Sequence, residues 1–151
     1  MIVEPATLAD LDAIQEIELH AFTKAWTREA FEAELSRPHA RIDVARDGGR
    51  VVGFNSYWIV EASQELHILS IATHPDHRRK GVGAALLGHA IAAAREAGAT
   101  LATLEVRRGN LPAIALYERA GFRTVHVRTG YYQADGEDAL VMLYQLNGSR
   151  P

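Results

Sequence analysis

Arg78-Arg79-Lys80-Gly81-Val82-Gly83-Ala84 is the stretch from which the rest of the chain can be read. Before it, Glu65 to Thr73 is rich in Leu and Ile on both faces, the pattern of a central strand covered on both sides. After it, Val82, Leu86, Ala90 and Ala93 recur at helical spacing until Gly98 stops the run. The seven residues therefore form a strand-to-helix turn. The first turn of such a helix has backbone N–H groups without partners and the positive end of the helix dipole, so an anion is favoured there. Two glycines let the backbone approach a pyrophosphate, and three cationic side chains offset its charge. A Walker loop is excluded because Lys80 precedes the glycines, and a dinucleotide fingerprint because position 86 is Leu. The alternative is a solvated basic turn at a flexible helix entry.

Working outward toward the N-terminus, Val51 to Val60 reads as a strand, joined through Asp47-Gly48-Gly49, a hairpin turn signal, to the alternating strand Arg41 to Arg46. Thr27 caps a short helix carrying Phe31 and Leu35 and stopped by Pro38; a break from Thr23 to Trp26 precedes it. Leu8, Leu11, Ile14, Ile17 and Ala21 form a helical stripe with Thr7 as N-cap and Asp10 three residues later, and Ile2 to Glu4 is a first strand. Toward the C-terminus, Thr100 to Val106 is a strand. Asn110 and Pro112 start a helix through Arg119 that Gly121 ends. Phe122 to Arg128 and Asp138 to Leu146 are two strands around a loop holding Thr129, Gly130, Tyr131 and Tyr132. The order β α α β β β α β α β β predicts an α+β (mixed α/β) fold with helices over one sheet. No repeat or linker divides it, and residues 1–151 are expected to form a single domain.

Composition narrows the chemistry. The 151 residues include 16 Lys+Arg and 19 Asp+Glu, a formal charge of −3, and no cysteine. Without cysteine there is no disulfide framework, thiolate-ligated zinc, thiolate nucleophile or acyl-cysteine intermediate. The charge balance argues against a general nucleic-acid or membrane-surface binder, so direct nucleic-acid and membrane partners are not expected. Met1 to Pro5 lacks the basic and apolar regions of a secretory signal, which predicts a cytoplasmic protein.

Arg78-x-x-Gly81-x-Gly83 resembles the acetyl-CoA signature of the GCN5-related N-acetyltransferases (GNAT), at the strand–helix junction where that family keeps it. His20-Ala21-Phe22, Trp26, Ile71-Ala72, Leu104 to Arg107, Asn110, Ala113 to Glu118, Gly121-Phe122, and Gly130 to Tyr132 with Asp138-Ala139 resemble successive blocks of the RimI-like protein N-terminal acetyltransferases. Together these blocks span nearly the whole chain. The sequence departs from that pattern where Gln133 stands in place of proline, where Lys24-Ala25 lengthens the segment before Trp26, and where Thr129-Gly130 replaces a more polar pair. All three departures are on the acceptor side. The resemblance implies a GNAT fold, with a central mixed, mostly antiparallel sheet of about seven strands flanked by about four helices and splayed at the acetyl-CoA site. It implies acetyl-CoA as co-substrate on residues Arg78, Arg79, Lys80, Gly81, Val82, Gly83 and Ala84. It also implies that the strand through Ile71, Ala72 and Thr73 binds the pantetheine arm like an added strand, with the Ile71 N–H polarising the thioester carbonyl. Asn110 contacts the cofactor by the same resemblance, and as N-cap of its helix by its own position. The implied acceptor is the N-terminal alanine of a small-subunit ribosomal protein.

Acetyl transfer to an amine needs a proton acceptor, because an α-amino group with a pKa of about 8 is mostly protonated at neutral pH. Glu105, sharing a strand face with Leu101 and Thr103, is expected among apolar neighbours that favour a carboxylate basic enough for this work, and the resemblance points to it as general base. The alternatives are a solvent-facing strand glutamate, or one paired with Arg107 or Arg108. Tyr117 shares a helical face with Ala113 and Ala120. A phenol with a pKa near 10 suits protonation of a leaving thiolate, the role the resemblance implies; the alternative is a core tyrosine. Trp26, Tyr131 and Tyr132 are aromatic residues in turns that could wall a peptide slot, to which Glu16 or Glu18 would add charge, or they pack over a sheet edge. His67, His74, His77 and His89 do not converge as a metal set, so no metal is expected. The absence of cysteine favours direct attack in a ternary complex. The open alternatives are a small-amine, lysine or broader N-terminal acetyltransferase, and a non-catalytic acetyl-CoA sensor. A monomer or weak dimer is expected.

Overall fold

The computed structural model describes residues 1–22, 24–132 and 135–147, so Thr23 and the proline-replacing Gln133 lie outside the described residues. Seven strands make one mixed sheet in the order β1-β2-β3-β4-β5-β7-β6. They are β1 (Ile2–Pro5), β2 (Ala40–Asp47), β3 (Arg50–Val60), β4 (Glu65–Thr73), β5 (Leu101–Arg107), β6 (Arg123–Tyr132) and β7 (Glu137–Gln145). Every neighbouring pair is antiparallel except β4 and β5, which are parallel and joined by a helical crossover. With four α-helices, this is the mixed α/β architecture expected for GNAT proteins.

The helices are α1 (Leu11–Ala21), α2 (Arg28–Leu35), α3 (Val82–Glu96) and α4 (Leu111–Ala120). Adjacent β2 residues Val44 and Ala45 belong to different apolar clusters, because successive strand side chains face opposite ways. On one face Leu11, Ile14, Ile17 and Phe31 from α1 and α2 pack against Ile42, Val44 and Phe54. On the other, Leu87, Ala90, Ile91 and Ala94 of α3 and Tyr117 of α4 pack against Leu66, Ile68, Ala102, Leu104 and Met142. Each large side chain buried in these layers contributes about 1.5–3 kcal/mol.

Three expectations are corrected. Leu8 is exposed, because Leu8–Asp10 is a 3-10 turn whose tighter winding shifts it off the stripe that α1 buries. Thr129 to Tyr132 belong to β6, an edge strand needing no apolar face and therefore sending no strong period-2 signal. β4 is not covered on both faces throughout: Leu69 is exposed.

Leu69 also marks the irregularity that opens the sheet. β3 pairs Tyr57 with Ile68 but Ser56 with Ser70, so Leu69 is an extra residue, a β-bulge that bends β4. On its other side β4 pairs with β5 from Glu65↔Leu101 to Ile68↔Leu104 and no further. The two strands part there, and from Leu69 to Thr73 the β5-facing backbone of β4 has no strand partner.

Candidate active site

The anion turn lies directly beyond the parted end of β4. His74 caps the 3-10 turn Pro75–His77 by accepting from the Asp76 N–H (3.2 Å), and the chain then enters α3. Arg79 has φ 65° and Gly81, the N-cap of α3, has φ 80°. Gly81 adopts this left-handed backbone without cost, and a Cβ there would meet open space. Gly83 has a different reason to be glycine: a Cβ would sit 3.2 Å from Leu116 Cδ2, so it admits α4 against α3. Ligand approach, the role expected of both glycines, leaves out this packing of Gly83 against Leu116. The first bond of α3 runs from Ala85 N–H to Gly81 C=O, leaving the N–H groups of Val82, Gly83 and Ala84 without helical partners. Arg78, Arg79 and Lys80 are exposed, and among the described residues none of them is in an ion pair.

The height of this turn over the sheet depends on a residue that sequence reasoning missed. A Cβ on Gly53 of β3 would lie 2.6 Å from Val82 Cγ1 and 3.1 Å from the Ala72 carbonyl oxygen. Glycine inside a strand is the available signal, since it often marks close approach of another backbone.

Where β4 and β5 part, a cleft of about 690 Å³ opens. Ile71, Glu105, Asn110 and Tyr117 line it, as do Trp26, Tyr131 and Tyr132, so the structure brings together residues from the cofactor, catalytic and acceptor sets. Ala72 and Thr73 continue β4 toward the turn and do not line the cleft. Asn110 caps α4 by accepting from the Ala113 N–H (3.3 Å) while bordering the cleft. Tyr117 is 6% exposed and packs edge-on to Phe122. Burial pushes its phenol well above the usual range, with Tyr132 adding to the effect, and among the described residues nothing hydrogen-bonds its hydroxyl.

Glu105 does not sit among apolar neighbours as expected. Its strand face is partly open, and its carboxylate is 33% exposed and bound by side chains of β6. Arg128 donates to Oε2 (2.5 Å) and the Tyr131 hydroxyl to Oε1 (3.3 Å). Arg107 and Arg108, the partners weighed from sequence, are engaged elsewhere: Arg107 with Asp135 (2.8 Å) and Glu137 (3.0 Å), Arg108 with Asp138 (3.1 Å). The arginines also stack on the tyrosines, Arg107 over Tyr132 and Arg128 over Tyr131, at 4.0 and 4.2 Å from the ring centroids.

The opposite rim is the segment between α1 and α2. Trp26 is 39% exposed and leans on Phe31, with its carbonyl accepting from the Gln15 side chain (2.6 Å). Of the two glutamates considered there, Glu16 points outward, its carboxylate 63% exposed, whereas Glu18 is buried and lines the cleft. Of the histidines, His67 pairs with Glu65, His89 with Asp43, and His74 sits near Glu16 and Asp76; no group of three metal-ligating side chains occurs among the described residues. No helix among them is long and apolar enough to cross a membrane.

Comparison with known proteins gives this geometry a family. Residues 11–122 match the acetyltransferase (GNAT) family. The ribosomal protein bS18-alanine N-acetyltransferase of Escherichia coli K12 is 35% identical over 135 residues, covering 88% of this chain and 89% of that protein. The N-alpha-acetyltransferase RimI of Mycobacterium tuberculosis is 33% identical over 148 residues, covering 92% of each. The crystal structure of the ribosomal-protein-S18-alanine N-acetyltransferase from Escherichia coli superposes with a TM-score of 0.87 at 31% identity, covering 99% of this chain and 96% of that one. The parted parallel strands, the glycine turn and these likenesses lead to one conclusion: the chain belongs to the GNAT acetyltransferase family, resembles its RimI members, and is an N-acetyltransferase.

Proposed function

We propose that this chain is a single-domain, acetyl-CoA-dependent Nα-acetyltransferase acting on a protein N-terminus, with the N-terminal alanine of a small-subunit ribosomal protein as its acceptor. The observation that carries the reading is the parting of β4 and β5 after Ile68↔Leu104, directly before the turn of residues 78–84, with Tyr117 and Glu105 on the cleft so opened. The relatives named for bS18-alanine acetylation support the acceptor.

The pyrophosphate of acetyl-CoA binds the N–H groups of Val82, Gly83 and Ala84 with Arg78, Arg79 and Lys80 around it. Its pantetheine arm pairs with the free edge of Ile71, Ala72 and Thr73, as an added strand would, and the Ile71 N–H polarises the thioester carbonyl. Asn110 borders the arm. The acceptor enters between Trp26 on one rim and Tyr131 and Tyr132 on the other. Its ammonium gives a proton to Glu105, the amine attacks the carbonyl carbon, and as the C–N bond forms and the C–S bond breaks, Tyr117 gives its proton to the departing sulfur and is reprotonated by the second proton that the new amide nitrogen sheds, so that the one net proton, on Glu105, passes to solvent. A phenol that burial keeps protonated suits an acid that acts only when a thiolate forms. With no cysteine in the chain, transfer is direct.

The test is incubation with acetyl-CoA and a panel of N-terminal peptides, lysine-containing peptides and small amines, with mass spectrometry locating the label. Labelling of the α-amine of alanine-starting peptides is expected; label on lysine or small amines alone overturns the acceptor. Glu105→Gln and Tyr117→Phe should each lower kcat by ~10²-fold with acetyl-CoA affinity kept. Unchanged turnover in both would overturn the assignment of Glu105 as base and Tyr117 as acid.

A further inference from the structure

Among the described residues four carboxylates are buried: Asp10, Glu18, Glu34 and Asp43. Three have a basic partner inside the protein. Asp10 binds Arg46 through two hydrogen bonds of 2.8 Å, Glu34 lies 3.5 Å from Arg37, and Asp43 lies 3.0 Å from His89. Glu18, 3% exposed, is the exception: among the described residues no Lys, Arg or His pairs with it. Lys24 borders the same cleft without reaching it. Oε2 accepts from the Trp26 N–H (3.0 Å) and Oε1 from the Ser70 hydroxyl (3.4 Å), both neutral donors. Acidic side chains are almost never buried unpaired, because desolvating a charge costs more than neutral hydrogen bonds return.

The position of this carboxylate explains the missing cation. Glu18 lines the cleft that Glu105 and Tyr117 also line. Its two partners belong to the two structures that meet at the reaction centre: Trp26 to the acceptor rim, and Ser70 to the free edge of β4, one residue before Ile71. The Ser56 hydroxyl, paired in register with Ser70, is buried on this wall without a partner among the described residues, so the wall is polar where the acceptor's end would arrive. A protein N-terminus reaches an acetyltransferase mostly as a cation.

We propose that Glu18 receives the positively charged α-amino group of the acceptor and is the residue by which the cleft selects a free N-terminus. The inference rests on the Nα-acetyltransferase reading. Glu18 recognises the incoming group and Glu105 then takes the proton, so the two carboxylates act in sequence. The cost of the arrangement falls on the free protein: burial pushes the Glu18 carboxyl above its usual range, the signature of a charge whose compensation is absent until the acceptor binds.

Glu18→Gln tests this, because the amide oxygen can still accept from Trp26 and the amide nitrogen can donate to Ser70, so the wall keeps its contacts and loses only its charge. Calorimetry would compare an alanine-starting peptide with the same peptide already Nα-acetylated, in the presence of coenzyme A. The wild-type protein is expected to prefer the free amine by about 10-fold or more, the scale of a hydrogen bond to a charged group, and Glu18→Gln to erase the preference with acetyl-CoA affinity unchanged and Tm unchanged or raised. A preference retained in Glu18→Gln overturns the proposal. So does a variant that melts early, fails to fold, or binds both peptides equally weakly, since Glu18 would then only hold the Trp26 segment. The reading beneath it fails differently: the wild-type protein would leave the α-amines of the peptide panel unlabelled.

Discussion

On the β4 side of the cleft the groups offered to a ligand are mostly backbone: the free edge of Ile71 to Thr73 and the open N–H groups of Val82 to Ala84. On the β5–β6 side they are ionised and aromatic side chains, with Glu105 bound by Arg128 and Tyr131, and Arg107 by Tyr132, Asp135 and Glu137. A backbone site depends on how closely elements approach, so its sensitive residues are those that lack a side chain. A side-chain site depends on pairs of charges brought from separate strands, and its sensitive residues are the partners of the reacting group. The two walls should therefore fail under different substitutions.

The largest effect is expected from Gly53→Val. Its Cβ would lie 2.6 Å from Val82 Cγ1 and 3.1 Å from a backbone oxygen that cannot turn aside, so the first turn of α3 must lift off the sheet. Overpacking of this kind costs about 3 kcal/mol in chemical denaturation, and acetyl-CoA affinity should fall with it although Gly53 touches no ligand. Arg78→Glu comes next. It reverses a charge at an exposed turn, so stability should stay within ~0.5 kcal/mol while calorimetry shows acetyl-CoA binding ~10- to 100-fold weaker and acceptor binding unchanged. A fall in acceptor affinity of the same size would show that the walls are not separable. Gly83→Asp is a poorer probe, because its Cβ also meets Leu116 of α4.

The same division decides how much could be read from the sequence. The signals of the β4–α3 wall are local: a glycine at the helix N-cap, a buried strand before it, Asn110 and Pro112 at the start of α4. These survive in a linear reading because cause and effect are a few residues apart. Leu69 escaped it, since a bulge is defined by the register of two strands, and so did Gly53, whose neighbour Val82 is 29 positions away. On the other wall Glu105 was found by resemblance, but its environment was misjudged. Its partner Arg128 arrives through the β5–β7–β6 order, a consequence of topology, and nothing in the residues around Glu105 encodes it. Glu18 is legible in part: it is one of the two glutamates expected to add charge at the acceptor slot, and at i+4 from Ile14 and i+7 from Leu11 it falls on the stripe that α1 buries, but only the closeness of β4 and the Trp26 segment shows that it is buried without a cation.

Glu18 also gives the comparison a test in pH. Its folded carboxyl titrates above the unfolded value, so its contribution to stability is fully present below about 4.3, the ordinary glutamate pKa, and is lost as pH rises through the raised value. The stability of Glu18→Gln relative to the wild-type protein should thus increase between pH 4 and pH 7 in thermal melts, and bound acceptor peptide should shrink the gap by supplying the cation. A gap that is flat across this range would mean that Glu18 is not charged at a cost in the free protein.

The smallest change in stability is expected from Arg128→Met. The Arg128–Glu105 pair is 47% and 33% exposed, and screened pairs of this kind contribute ~0–1 kcal/mol, so the variant should melt close to the wild-type protein. The Met side chain can still cover the Tyr131 ring, on which Arg128 now stacks, so the edge strand keeps its packing. The Glu105 carboxylate, however, loses the stronger of its two contacts and is left to the Tyr131 hydroxyl at 3.3 Å, free to turn about its own torsions. Proton transfer depends on holding donor and acceptor in one geometry, so kcat should fall ~3- to 10-fold while the affinity for acetyl-CoA, bound on the other wall, stays the same. A variant with full turnover would mean that Arg128 only occupies Glu105 until the acceptor displaces it. The side-chain wall would then be assembled by the acceptor itself, and the difference between the walls would become one of timing as well as of chemistry.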